Sequence, residues 1–352
     1  AAKSHLAPTE FSTIQSAINA ASPGDRVVIA PGVHIVDNPD GINFNGKAVT
    51  LMSENPNDPY VVASTVINCQ GNMENPRRAF HFYKGEDPNT VISGITIENA
   101  YYLKRVPNYL EYYYDDEGNL IIDYDGIDAD FSDESNVYGG AILCENGSSP
   151  TFENCVIKDN TVAATRGGDG MNNAGDVPEG QESRPGGRGG YGFGIGFGGG
   201  MACLDNSSPI LLNCSFENNV AMGGIGGEGG DGDNGENGYG GSGGLAFGAG
   251  IGGAVYCENN SAPKFYDCKF IGNEARPGMP GKGGEAGGHD DTYEGSAGES
   301  VLSRFASGGA ICVDASQADL VIDNCEFIGN EAYDVTDNYY YDPDGDYVQK
   351  LY

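Results

Sequence analysis

The chain has 352 residues with a formal net charge of −33, from 51 acidic and 18 basic residues, and 57 glycines. A surface this acidic repels nucleic acid and anionic membranes and attracts cations, and no apolar run approaches the ~18 residues of a membrane span. Length alone allows two domains; the repeats described below argue instead for one elongated domain over 1–335 with an acidic-aromatic tail at 336–352.

In chain order, AAKSHLAP is compatible with a mature terminus left by cleavage. Residues 11–21, FSTIQSAINAA, then predict an amphipathic capping helix. Phe11, Ile14, Ile18 and Ala21 share one face, and Ser12 and Gln15 have capping-box spacing. Ser22-Pro23-Gly24-Asp25 ends the helix and Val27-Val28-Ile29 starts a strand. Further strands are expected around Ala48–Met52, Thr65–Cys69, Ala79–Tyr83 and Val91–Asn99. The insertion at 101–138 is rich in tyrosine and aspartate; its rings suit either sugar stacking or packing against a flank.

From residue 139 the chain repeats itself. GGAILCENGSSPTFENCVIKDN (139–160) is followed by GGGMACLDNSSPILLNCSFENN (198–219), GGAVYCENNSAPKFYDCKFIGN (252–273) and GGAICVDASQADLVIDNCEFIGN (308–330). Self-similarity at long period is the mark of stacked repeats. Ile142, Met201, Val255 and Ile311 share one position, and Cys144, Cys203, Cys257 and Val313 lie two residues on. Period two places both on a buried strand face. The intervening Leu143, Ala202, Tyr256 and Cys312 are expected to face solvent. Phe152, Leu211, Phe265 and Ile322 stand five residues before Ile157, Phe216, Phe270 and Phe327, an odd offset that needs a bend near Asn154, Asn213, Asp267 and Asn324.

These features resemble the right-handed parallel β-helix, or pectin-lyase-like, superfamily. The starts Gly139-Gly140-Ala141-Ile142, Gly252-Gly253-Ala254-Val255 and Gly308-Gly309-Ala310-Ile311 and the endings Phe216–Asn219, Phe270–Asn273 and Phe327–Asn330 resemble the repeats of chlamydial polymorphic outer membrane proteins. Ile157–Asn160 and Gly198-Gly199-Gly200-Met201 depart from that pattern. The resemblance implies an all-β fold, a right-handed parallel β-helix solenoid of about seven coils. The same fold carries surface adhesins and carbohydrate enzymes, so it leaves function open.

Three glycine-rich insertions, 166–197, 223–251 and 276–307, leave from one corner of the repeat. Gly223, Gly226, Gly229, Gly232, Gly235, Gly238, Gly241 and Gly244 are spaced by three, and Gly278, Gly281, Gly284 and Gly287 likewise. The spacing suits either flexible loops or stacked threefold extended segments whose crowded side carries no Cβ.

Equivalent positions in stacked repeats predict lengthwise ladders of Cys144, Cys203 and Cys257, of Cys155, Cys214, Cys268 and Cys325, and of Asn160, Asn219, Asn273 and Asn330. Cys69, which also follows an asparagine, is expected to join the second ladder. The thiols read as buried apolar fillers, with a disulfide framework as the other reading. Cys312 is expected to be the most reactive. Asp123, Asp125, Asp128 and Asp130, and separately Asp342, Asp344 and Asp346, alternate around glycine turns and are candidate calcium ligands, calcium being the cofactor expected. Asn146, Asn206, Asn213 and Asn259 lie in N-x-S/T patterns. For catalysis, His289-Asp290-Asp291 lies in a glycine-rich segment, and lone His34 and His81 read as structural.

The expectation is an extracellular or cell-surface structural protein, adhesive or filament-forming, whose partners are itself or carbohydrate and not nucleic acid. The resemblance leaves a polysaccharide lyase or glycoside hydrolase as the alternative.

Overall fold

The computed structural model describes residues 2–105, 135–172, 185–233, 239–285, 306–314 and 320–333. Of Arg105, 111–114, 120–123, 339–341 and 347–349 the backbone alone is described. The fold is nearly all β, and its long sheets are parallel, as in a parallel β solenoid.

Each repeat contributes one short strand to each of several sheets. The longest sheet has eight strands, from Ser4–Ala7 to Val321–Asp323. A second has seven, from Gly32–Ile35 to Glu326–Ile328, and two more have five each. Strands of successive repeats pair in register, so like positions fall over one another. Phe152 pairs with Ile92 and Leu211, and Leu211 with Phe265. Ile157 pairs with Ile97 and Phe216, Phe216 with Phe270, and Phe270 with Phe327. The rings of Phe216, Phe270 and Phe327 stack nearly parallel at 5.2 and 4.8 Å. The interior is therefore a set of lengthwise columns, and nearly all its members are buried.

Between the first two sheets the chain turns at Asn154, Asn213, Asp267 and Asn324, all with φ of 51–55°. Asparagine and aspartate tolerate this left-handed region better than other residues with a Cβ, because the short polar side chain bonds locally. The turn lets the interior positions on either side, five residues apart, share one core.

Helix α1 spans Ile14–Ala20 and buries Ile14, Ala17 and Ile18. It is shorter than the expected 11–21, and its capping box is formed by Thr13 and Ser16, not Ser12 and Gln15. Thr13 wins because an N-cap must be extended while its hydroxyl reaches the third N–H of the helix, and Ser16 can return the bond. At the other end Lys47 Nζ donates to the carbonyls of Ile18, Asn19 and Ala21, tying down the last turn, where intrahelical partners run out. A second short helix, α2, spans Pro59–Ser64, with Asp58 capping it and Pro at its first position.

The expected solvent-facing column is not exposed. Leu143, Ala202 and Tyr256 are buried, packed with Phe197 and Leu204. A three-stranded parallel sheet of Val137–Tyr138, Gly196–Phe197 and Gly250–Ile251 contributes Tyr138, Phe197 and Ile251 to this layer. Phe197 lies 4.7 Å from Tyr138 and 4.4 Å from Tyr256. Each of these two-residue strands is the last step of the chain before a new repeat begins, at Gly139, Gly198 and Gly252, where φ of 68–70° favours glycine.

Beside the parallel sheets the glycine-rich insertions form a second hydrogen-bonded layer. Within 223–232, Gly226, Gly229 and Gly232 donate to the carbonyls of Met279, Lys282 and Glu285. Gly224, Gly227 and Gly230 donate to those of Phe247, Gly190 and Gly187. Gly187 and Gly190 in turn donate to Met171 and Gly168, and Gly281 and Gly284 to Gly244 and Gly241. The bonding repeats every third residue, as in a threefold extended chain that has no internal bonds and must find partners outside itself. Close approach is what requires glycine. A Cβ on Gly227 would fall 1.9 Å from Gly168 O, and one on Gly230 1.9 Å from Met171 O.

Candidate functional site

The corner turns and α2 together make a groove of about 390 Å³. Pro59, Val62 and Ala63 of α2 form one wall, with Pro56 and Asn57 just before it. The floor climbs three repeats, through Asn154–Val156, then Asn213–Ser215 and Glu217, then Asp267 and Lys269. Gly94 allows the wall to seat so closely, since a Cβ there would lie 2.2 Å from Pro56 Cα. Amides line the corner: Asn213 Nδ2 donates to Asn154 Oδ1 (2.7 Å), and Asn154 Nδ2 donates to Asn57 Oδ1 (3.2 Å). Asn324 continues the line by donating to Asp267. Lys269 reaches Glu326 at 3.0 Å, an exposed pair of little energetic weight.

Two thiol columns run along the stacked repeats. Cys144, Cys203 and Cys257 pair in register and are fully buried. Cys155, Cys214, Cys268 and Cys325 each precede a residue of one register, Val156, Ser215, Lys269 and Glu326. Cys155 and Cys214 also line the groove, and Cys325 is half-buried. All nine cysteines are free. Cys69 follows the strand Thr65–Asn68, in line with the residue after Glu98, and joins neither column. Burial pushes the thiols of Cys203 and Cys214 well above their usual range. Cys312 is half-buried and its thiol is also raised by burial, which leaves it protonated rather than activated.

The buried asparagines form an unbroken chain of amides. Asn160 Nδ2 donates to Asn219 Oδ1 (2.9 Å), Asn219 Nδ2 to Asn273 Oδ1 (2.9 Å), and Asn273 Nδ2 to Asn330 Oδ1 (2.8 Å). Each oxygen also accepts a backbone N–H from the preceding repeat, and each nitrogen reaches a carbonyl there, such as Ile157 O for Asn219.

The candidate calcium residues lie outside the described side chains. Asp123 ends a backbone strand that pairs antiparallel with Glu111–Tyr114, and the other six, like His289, Asp290 and Asp291, lie outside the described residues. Among the described residues no three His, Cys, Asp or Glu side chains converge as a metal site, and no helix is long and apolar enough to cross a membrane. His34 Nε2 lies 2.8 Å from Ala30 O and His81 Nε2 3.0 Å from Glu145. That contact holds the Glu145 carboxyl below its usual range. Of the N-x-S/T asparagines, Asn146, Asn206 and Asn259 have positive φ, as does Asn213 at the corner. The groove has no signature in any one repeat, because its wall comes from residues 56–63 and its floor from residues 154–269.

Comparison of the chain with protein-family models, with curated proteins and with solved structures finds no match.

Proposed function

We propose that the chain is a right-handed parallel β-helix, with seven coils between the eight strands of its longest sheet and α1 covering its N-terminal end. We propose further that it is a structural module of the cell surface or extracellular space, adhesive or filament-forming. One observation carries this reading: bonding runs lengthwise through every repeat from Asn160 to Asn330 in a single amide chain, buried as far as Asn273. A column of this kind, flanked by a bundle in which each segment bonds to its neighbours, favours a stiff rod over a hinged or closing molecule. Electron micrographs of the native material test it. Straight rods or filaments are expected, and compact or freely jointed particles would overturn it.

The groove supports a second reading, a polysaccharide lyase or glycoside hydrolase, since Glu217, Asp267 and Lys269 line it together. Neutral and acidic polysaccharides are to be screened for new reducing ends and for unsaturated uronates. Turnover abolished by Glu217→Gln or Asp267→Asn would replace the structural reading with the enzymatic one.

A further inference from the structure

Both thiol columns are buried save at Cys325, and the outer one, Cys155 to Cys325, also borders the groove. Cys155 and Cys214 belong to consecutive repeats at the same register position, and both line the groove. Their neighbours Cys268 and Cys325 continue the column to a half-buried end. The backbone N–H of Cys268 lies 3.4 Å from Cys325 Sγ. Cys144, Cys203 and Cys257 share the same buried core as Cys155, Cys214 and Cys268, but line no groove among those described.

Spacing decides what such a column can hold. Residues stacked in parallel strands repeat at about 4.8 Å, whereas a disulfide needs Cβ atoms about 3.5–4.5 Å apart. Two metal–sulfur bonds of about 2.3 Å laid end to end span about 4.6 Å. Tetrahedral ions lack their third and fourth donors here, since no three ligating side chains converge among the described residues.

We propose that Cys155 and Cys214, and beyond them Cys268 and Cys325, bind soft d10 cations such as Cu(I) or Ag(I) in linear two-coordinate fashion, with the groove as the entrance to the first pair. Thiolate sulfur selects such ions over hard ones. Each binding event exchanges two S–H bonds for two S–metal bonds and releases two protons to solvent. A monovalent ion leaves one net negative charge at the groove floor, which Lys269, itself paired with Glu326, also lines. Because each ion displaces two protons, binding strengthens as pH rises.

The test uses the full chain, reduced and then freed of reductant, loaded with Ag(I) in chloride-free buffer, desalted and analysed for metal. About one retained ion per two thiols of the outer column is expected. Cys155→Ser/Cys214→Ser should lose about half of it, and Cys144→Ser/Cys203→Ser none. Zn(II) at the same concentration should wash out. Unchanged retention in the outer variant, equal loss in the inner one, or retained Zn(II) would overturn the assignment. If the serine variants fail to fold, Ala63→Trp on the groove wall serves instead. It leaves every thiol in place and should slow loading at least several-fold, and unchanged loading kinetics would count against the groove as entrance.

Discussion

Asn219 is the most demanding test of the lengthwise amide chain. It is fully buried and makes four side-chain hydrogen bonds: to Ile157 O (2.9 Å) and Asn273 Oδ1 (2.9 Å), and from the N–H (3.3 Å) and Nδ2 (2.9 Å) of Asn160. In Asn219→Ala the Asn160 N–H loses its acceptor in a place that water does not reach, at a cost of about 1–3 kcal/mol. The other bonds contribute about 1 kcal/mol each, partly recovered because Asn160 Nδ2 keeps Ile97 O. The expected loss is about 3–5 kcal/mol, at the upper end of single-substitution effects. Asn330→Ala removes an equivalent amide at a half-buried position, where water can replace it, so about 1 kcal/mol is expected. Urea unfolding at pH 7 reads both as a change in midpoint at constant slope. If Asn219→Ala costs under about 1 kcal/mol, or no more than Asn330→Ala, the amide chain is not a principal tie between repeats.

In the glycine bundle, Gly227→Ala should raise amide exchange across 167–172, 185–192 and 277–284 while leaving the main unfolding transition in place; Ser242→Ala, at a third position, should leave exchange unchanged. Asp25 accepts from the backbone N–H groups of Lys3 (2.8 Å) and Ser22 (3.0 Å) and from His5 (3.1 Å), which together hold its carboxyl well below the usual range. A depressed folded pKa stabilises above the unfolded value of about 3.9 and is lost as pH falls through the folded value. Asp25→Asn should therefore lower the melting temperature at pH 7, with the gap to wild type narrowing steadily below about pH 4; a gap constant from pH 7 to pH 2 would refute the assignment. Thiol titration of metal-free, denatured protein without reductant should count nine thiols, and a count of seven or fewer would establish disulfides.

Register was the most legible part of the fold. The shared positions of Ile142, Met201, Val255 and Ile311 were visible because a repeat displays its own alignment, and each pairs with the next in the structure. The corner asparagines were legible for the same reason. What the repeats hid was the surroundings of each strand. Leu143, Ala202 and Tyr256 read as exposed because alternation reports only which face is covered by the core. The cover over their face comes from two-residue strands too short to show any period. Threefold glycine left two readings open, since composition alone does not distinguish a flexible segment from one that finds hydrogen-bond partners in neighbouring insertions. The groove required knowing that residues 56–63 return to a corner formed by residues 154–269.

The threefold bonding of the glycine layer divides its positions into two kinds. Along 226–230 two of every three are barred to any side chain by a neighbouring carbonyl, while the third position of the layer already carries groups as unlike as Arg188, Tyr191, Glu228, Ser242 and Leu245. Substitution can therefore drift freely at one position in three without disturbing the lattice beneath. Such a layer can be repainted by evolution, or by design, at almost no risk to its architecture.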